Sequence, residues 1–177
     1  MIFISGVHGV GKTYFCNKVS QELGIKTYSA SMLITEKKKK DFSADKLIPD
    51  IDVNQQYLKC AVDELRTLEN SFILDGHFCL LNEKGEITRI PEDTFCELKP
   101  DNIILLTEDP SIIADRRKER DGIEYSVEEI QSFQNAEAAY AAEIADMLSI
   151  PILISQGKHD ADMTLQYIAD IVRNKVE

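Results

Sequence analysis

Tryptophan is absent from the 177 residues, and histidine occurs three times. Only four cysteines are present, Cys16, Cys60, Cys79 and Cys96. None stands at C-x-x-C spacing, which excludes the common zinc and thioredoxin-type arrangements and leaves four reduced thiols as the expectation. Positive charge is scarce: Lys and Arg total 20 against 31 Asp and Glu, a net charge of −11. Nucleic acids and anionic membranes both demand dense positive charge, so neither is an expected partner, although a local cationic pocket remains open. The longest apolar runs, such as Ile103-Ile104-Leu105-Leu106, are far too short to cross a bilayer. No Lys or Arg precedes Lys12, so the basic region of a secretory leader is missing and a cytoplasmic protein is expected. The length fits one domain, and such a chain buries roughly 70% of its unfolded surface without staples.

Short apolar runs alternate with helical patterns. Residues 1–5, 25–28, 71–75, 102–106 and 150–154 read as strands, the first of them buried because apolar side chains fall on both its faces. Phe15, Val19 and Leu23 mark a helix over 12–23 that Gly24 stops. A second helix begins at Ser29 and runs into Lys37–Lys40; a third, amphipathic one covers 54–69. Residues 80–98 are mixed, with a turn at 82–86 and at best a short helix after Pro91. Asp109-Pro110 opens a helix over 111–119, and Arg120–Tyr125 is a polar loop. Ser126-Val127-Glu128-Glu129 has the S-x-x-E form of a capping box and starts a long helix to about Leu148; the last helix spans 160–175. The alternation predicts a parallel sheet with helical crossovers, without an internal repeat or disordered linker.

Gly6-Val7-His8-Gly9-Val10-Gly11-Lys12-Thr13 fits G-x-x-x-x-G-K-[ST]. The glycines let the backbone curl so that successive N–H groups face one phosphate, and the following helix, with Tyr14 in its first turn, aims its N-terminal dipole there. Lys12 is expected to reach the β- and γ-phosphates, and the Thr13 hydroxyl to complete a Mg²⁺ shell. A chance match in a chain this long has odds of roughly half a percent. Asp75 ends an apolar strand and would hold the metal directly or through water. Arg116-Arg117-Lys118-Glu119-Arg120 is the densest positive cluster; Arg116 and Arg120 share a helix face at i, i+4. They are expected to stay apart and hydrated until a phosphate draws them in. Lys37–Lys40 point all round a helix and read as solvated surface.

The loop, then Leu74-Asp75-Gly76-His77, then Asp109-Pro110 with Arg116-Arg117 and Arg120-Asp121-Gly122-Ile123-Glu124, then Glu128-Glu129-Ile130, resemble the P-loop nucleoside monophosphate kinases. The likeness is greatest to archaeal-type adenylate kinases and their ribosome-assembly relatives. That resemblance implies an α/β P-loop NTPase three-layer sandwich, a five-stranded parallel sheet ordered 2-3-1-4-5 with helices on both faces. It also implies a monophosphate-binding insertion over about 29–70 and a short lid over about 116–126. Residues 6–14 would bind ATP, with Gln156 and Gly157 under its adenine. Lys12, Asp75, Arg116 and Arg120 would be catalytic, Thr13 and Asp75 would serve Mg²⁺, and Ser29, Ser31, His77 and Arg89 would serve the acceptor.

Two departures bear on that acceptor. Residues 29–65 contain no Arg, only Lys37–Lys40, Lys46 and Lys59, and Ala136-Glu137 stands where the family shows Asn-Arg. A carboxylate there is expected to repel a phosphate, with Arg89 swinging in as a substitute. The leading reading is γ-phosphoryl transfer from MgATP to a small phosphorylated or hydroxylated acceptor, a nucleotide first. The alternative is a slowly hydrolysing ATP switch acting through a protein partner. Lys12→Ala, whose side chain is expected to face the ligand, should keep the fold and lower turnover by about 10²–10³-fold, the cost of one preorganised donor. Steady-state ADP release checks this, and a near-wild-type rate would remove the phosphate-cradle assignment.

Overall fold

A strand that is apolar on both faces must be covered on both faces, and that requirement sets the architecture. The computed structural model describes residues 1–41 and 51–174. Its central sheet consists of β1 (Ile2–Ser5), β2 (Lys26–Ser29), β3 (Phe72–Asp75), β6 (Asn102–Leu106) and β7 (Ile152–Ser155), all parallel, in the order β2-β3-β1-β6-β7. This is the expected 2-3-1-4-5 order once the strands of the main sheet are counted alone. Every residue of β1 and β6 is buried. The helices are α1 (Lys12–Leu23), α2 (Ala30–Asp41), α3 (Ile51–Leu68), α4 (Glu92–Leu98), α5 (Pro110–Asp121), α6 (Val127–Leu148) and α7 (Ala161–Arg173). No helix among the described residues is long and apolar enough to cross a membrane.

The start signals act as their chemistry requires. Ser126 accepts a hydrogen bond from the Glu129 amide at 3.2 Å, and Asp109 accepts one from Ser111 at 2.8 Å with Pro110 in the first turn. Helix α6 buries Ile130, Phe133, Glu137, Tyr140, Ala141 and Ile144 along one side. Tyr140 joins Phe78, Phe95 and Phe3 in an aromatic cluster and donates its hydroxyl proton to the Ile90 carbonyl at 2.6 Å.

One element differs from expectation. Residues 79–81 and 87–89 form an antiparallel hairpin, β4 (Cys79–Leu81) and β5 (Ile87–Arg89). The turn at 82–86 is where the sequence places it, closed by Asn82 Oδ1, which accepts from the amides of Lys84 and Glu86 at 2.9 Å each. Three-residue arms are too short to show a period of two, so only the turn was legible. Residues 42–50, including Lys46, and 175–177 lie outside the described residues.

The registers bring Ile4 opposite Asp75 and Ser29 opposite Asp75. The C-terminal ends of β1, β3 and β2 therefore share one edge, where parallel α/β sheets expose their loops to ligands. Core packing holds this edge in place. Ile104→Ala, at a fully buried β6 position, should lower unfolding free energy by about 2–5 kcal/mol in urea titration, the cost of a large-to-small core change.

Candidate active site

The loop between β1 and α1 can be formed only with glycine at its tight points. Gly6 has φ +144°, and a Cβ there would stand 2.5 Å from the Leu106 carbonyl oxygen; Gly9 has φ +90° and would meet Arg117 Cγ at 2.8 Å. Helix α1 opens at Gly11 with no side-chain cap and no acidic residue in its first turn. Its N-terminal N–H groups and dipole are left for an anion.

Lys12 lies under this loop. Its Nζ donates to the Gly6 carbonyl at 2.6 Å, stands 3.4 Å from His77 Nε2, and is 4.0 Å from Asp75 Oδ1. The residue is only 8% exposed, so the expectation of a side chain open to the ligand is corrected: it rests on the loop's own carbonyl. Burial lowers the Lys12 pKa and raises that of Asp75, and their mutual attraction across 4.0 Å opposes both shifts. Burial, then Lys12 and His8, push His77 down to about 2, and burial with neighbouring cations lowers His8. The two imidazoles, with ring centroids 4.4 Å apart, are neutral at physiological pH.

A cavity of about 500 Å³ opens from the loop, lined at one end by His8, Lys12, Thr13, Asp75, His77 and Arg120 and at the other by apolar side chains. Ser29 and Ser31 line it too, their hydroxyls 3.0 Å apart. The expected acceptor residue Arg89 does not. It forks onto Glu143 at 2.6 and 2.9 Å and stacks over the Tyr140 ring, tied to α6 by charge and by packing. Tyr14 is largely exposed on α1. Gln156 and Gly157 follow β7, where Gly157 stands against Glu108 and Thr107.

The arginine cluster is also not loose and hydrated. Arg116 donates to the Val10 carbonyl at 3.2 Å and to Glu108 Oε2 at 2.9 Å, bracing the loop. Arg120 forks onto Asp121 at 2.6 and 2.7 Å, and Tyr125 donates to the same carboxylate. Arg117, to which the sequence assigned no role, packs its stem on Gly9 and its guanidinium over the Tyr125 ring, 3.7 Å from the centroid.

Glu137 is the second surprise. It does not face the cavity as a repelling charge. At 1% exposure it accepts hydrogen bonds from the Ser5 hydroxyl, the Phe78 amide at 2.9 Å and the Cys79 amide at 2.6 Å. It thereby ties α6 to the end of β1 and to the segment that carries His77. A signal was present: Glu137 lies at i+4 from Phe133 and three residues before Tyr140, on the apolar side of α6.

The chain is similar to characterised proteins over nearly all its length. A family model described as an AAA domain matches residues 5–134. An adenylate kinase of Pyrobaculum aerophilum is 30% identical, covering 97% of this chain and 95% of the relative. The chain belongs to the archaeal-type adenylate kinase family of P-loop kinases. An adenylate kinase of Thermoplasma acidophilum is 33% identical over 78% of this chain and 79% of its own. Among solved structures, a shikimate kinase from Bacteroides thetaiotaomicron has TM-score 0.55 and 13% identity, covering 97% of each chain. A gluconokinase from Sinorhizobium meliloti has TM-score 0.53 and 15% identity, covering 99% of this chain and 97% of the other. These two share the P-loop kinase fold.

Within that family's architecture, Thr13 and Asp75 present hard oxygen donors to the same cavity as Lys12. That set fits a magnesium ion, which takes one or two protein oxygens and fills its other positions with water and phosphate. Both Phe78 and Cys79 amides need an acceptor behind this site. Glu137→Gln places an NH₂ group against one of these donors and should cost about 1–3 kcal/mol in urea unfolding at neutral pH. Burial raises the Glu137 pKa, with the Ser5, Phe78 and Cys79 bonds and Lys12 pulling the other way. A raised folded-state pKa makes the carboxyl's contribution greatest below the ordinary carboxylate range and diminishes it as pH rises through the raised value. The Glu137 contribution to wild-type stability should therefore fall as pH rises through that window, as read from urea midpoints at stepped pH.

Proposed function

We propose that this P-loop kinase transfers the γ-phosphoryl group of MgATP to a small acceptor of the nucleotide class. The observation that carries this reading is the cavity itself: one space runs from the phosphate loop, past Lys12, Thr13, Asp75 and Arg120, to an apolar end among Phe3, Leu58 and Phe95. Such a space allows a donor phosphate at one end and a planar ring at the other, close enough for direct in-line transfer. Membership of a family whose named relatives are adenylate kinases supports the same acceptor class.

The roles follow from position. The loop amides and the α1 N-terminus would hold the triphosphate, and Lys12 would leave the Gly6 carbonyl for the β- and γ-oxygens. Thr13 and Asp75 would hold the magnesium ion, which neutralises developing phosphate charge when bound. Arg120, held by Asp121 on the cavity wall, would turn onto the transferring group as α5 and the following loop close. Gly157 and Gln156 would border the adenine beside the Arg116–Glu108 brace. Water must be kept from the γ-phosphate, so ADP should form from MgATP only when an acceptor is added. A panel of nucleosides, nucleoside monophosphates and small hydroxylated metabolites, scored by coupled ADP release, tests this. ADP formed at the same rate without any acceptor would instead identify an ATPase switch.

A further inference from the structure

The phosphate loop is held from behind by a side chain that no motif marks. We propose, resting on the reading of this loop as the ATP phosphate site, that Gln134 is a positioning residue for the nucleotide: through Glu108 and Arg116 it fixes the peptide joining Val10 to Gly11, and so aims the Gly11 amide at the phosphate.

A trans peptide points its carbonyl and its N–H in opposite directions, and no cis peptide occurs among the described residues. A donor that holds the Val10 carbonyl on the outside of the loop therefore turns the Gly11 N–H the other way. Gly11 lines the cavity and Arg116 does not, so the other way is toward the ligand. This peptide needs holding. Gly11 has φ +109°, and glycine rotates at low cost, so an unheld plane could turn over and present its carbonyl oxygen to an anion. Neighbouring carbonyls are served from within the loop and α1: Gly6 by Lys12, Val7 by the Val10 amide at 3.2 Å, Gly11 by the Phe15 amide at 3.0 Å. The donor to Val10 comes from outside, Arg116 Nη1 at 3.2 Å.

A long side chain keeps a carbonyl in place only when its own head is fixed, because free rotamers carry entropy. Arg116 Nη2 donates to Glu108 Oε2 at 2.9 Å, and Oε1 of the same carboxylate accepts from the Asp109 amide at 3.1 Å. The Glu108 side chain is 5% exposed. Its backbone lies just past β6. The Thr107 amide still bonds β7, at the Ser155 carbonyl, 2.8 Å away, but one residue on the chain has left the sheet, and Glu108 turns to α6. Gln134, buried on that helix, meets both of its backbone groups: Oε1 accepts from the Glu108 amide at 3.1 Å, and Nε2 donates to the Glu108 carbonyl at 2.8 Å. A side-chain amide carries the same donor and acceptor as a peptide, so Gln134 takes the place of a neighbouring strand. The path runs from α6 through Glu108 and Arg116 to the loop, each step a hydrogen bond.

The test uses the full chain and two ligands that differ at one end, MgADP and inorganic tripolyphosphate with magnesium, titrated by calorimetry. Gln134→Glu keeps the acceptor but sets a carboxylate oxygen against the Glu108 carbonyl; Gln134→Leu removes both bonds. Each should raise the Kd of both ligands by about tenfold, the order of one or two lost hydrogen bonds. In an Arg116→Ala background the same substitutions should change either Kd by no more than about twofold, because the path to the loop is already cut. A purely structural role for Gln134 would not be erased in this way. A single cooperative urea transition identifies a folded variant, and one of the two suffices. Unchanged Kd values, a tenfold loss that persists without Arg116, or a loss for MgADP with tripolyphosphate unaffected would each overturn the inference and leave the kinase reading standing. A wild-type chain that binds neither ligand would overturn the kinase reading itself.

Discussion

The Glu137 carboxylate is the point on which the site's floor depends. Burying a carboxylate is costly, and the cost is tolerable only where hydrogen bonds converge on it. Here the Ser5 hydroxyl and the amides of Phe78 and Cys79 converge from two parts of the chain, with Lys12 adding a favourable field. Ser5 ends the strand that launches the phosphate loop, and Phe78 follows His77 directly. One side chain of α6 thereby ties the strand that launches the loop to the segment after β3.

Above that floor, charge is held in short supply and in fixed places. Lys12 is kept on the Gly6 carbonyl and within 4.0 Å of Asp75, so neither ion is free to reorganise before a ligand enters. The two imidazoles beside this centre are neutral and add no charge to it. Arg116 and Arg117 serve the loop from outside, one through the Val10 carbonyl and one through contact with Gly9. A cluster that reads as one cationic patch thus divides into two braces and a single residue, Arg120, that reaches the cavity wall.

Preorganisation of this kind is what phosphoryl transfer requires, since positioning and electrostatic stabilisation supply most of its rate. Buried cysteines do not disturb it: the thiols of Cys16 and Cys79 are pushed up to about 12 and 11, chiefly by burial.

Family resemblance implied the strand order, and the sequence by itself determined the parallel sheet and the phosphate loop. Those features rest on local and periodic signals: runs apolar on both faces, caps such as Asp109-Pro110 and Ser126, and glycines at positions where a Cβ would strike the backbone. Tertiary structure alone decided where the ionisable side chains went. Glu137 reads in sequence as a lost cation and a repelling charge, yet folding turns it behind β3, onto amides that no sequence pattern links to it. Arg89 reads as a spare phosphate ligand, but Glu143 and Tyr140, some fifty residues away on α6, capture it. Lys12 was expected to stand open to a ligand, and its burial was not legible. Side-chain destinations of this sort depend on partners distant in the chain, because the energy of a charge is set by the groups that surround it in space.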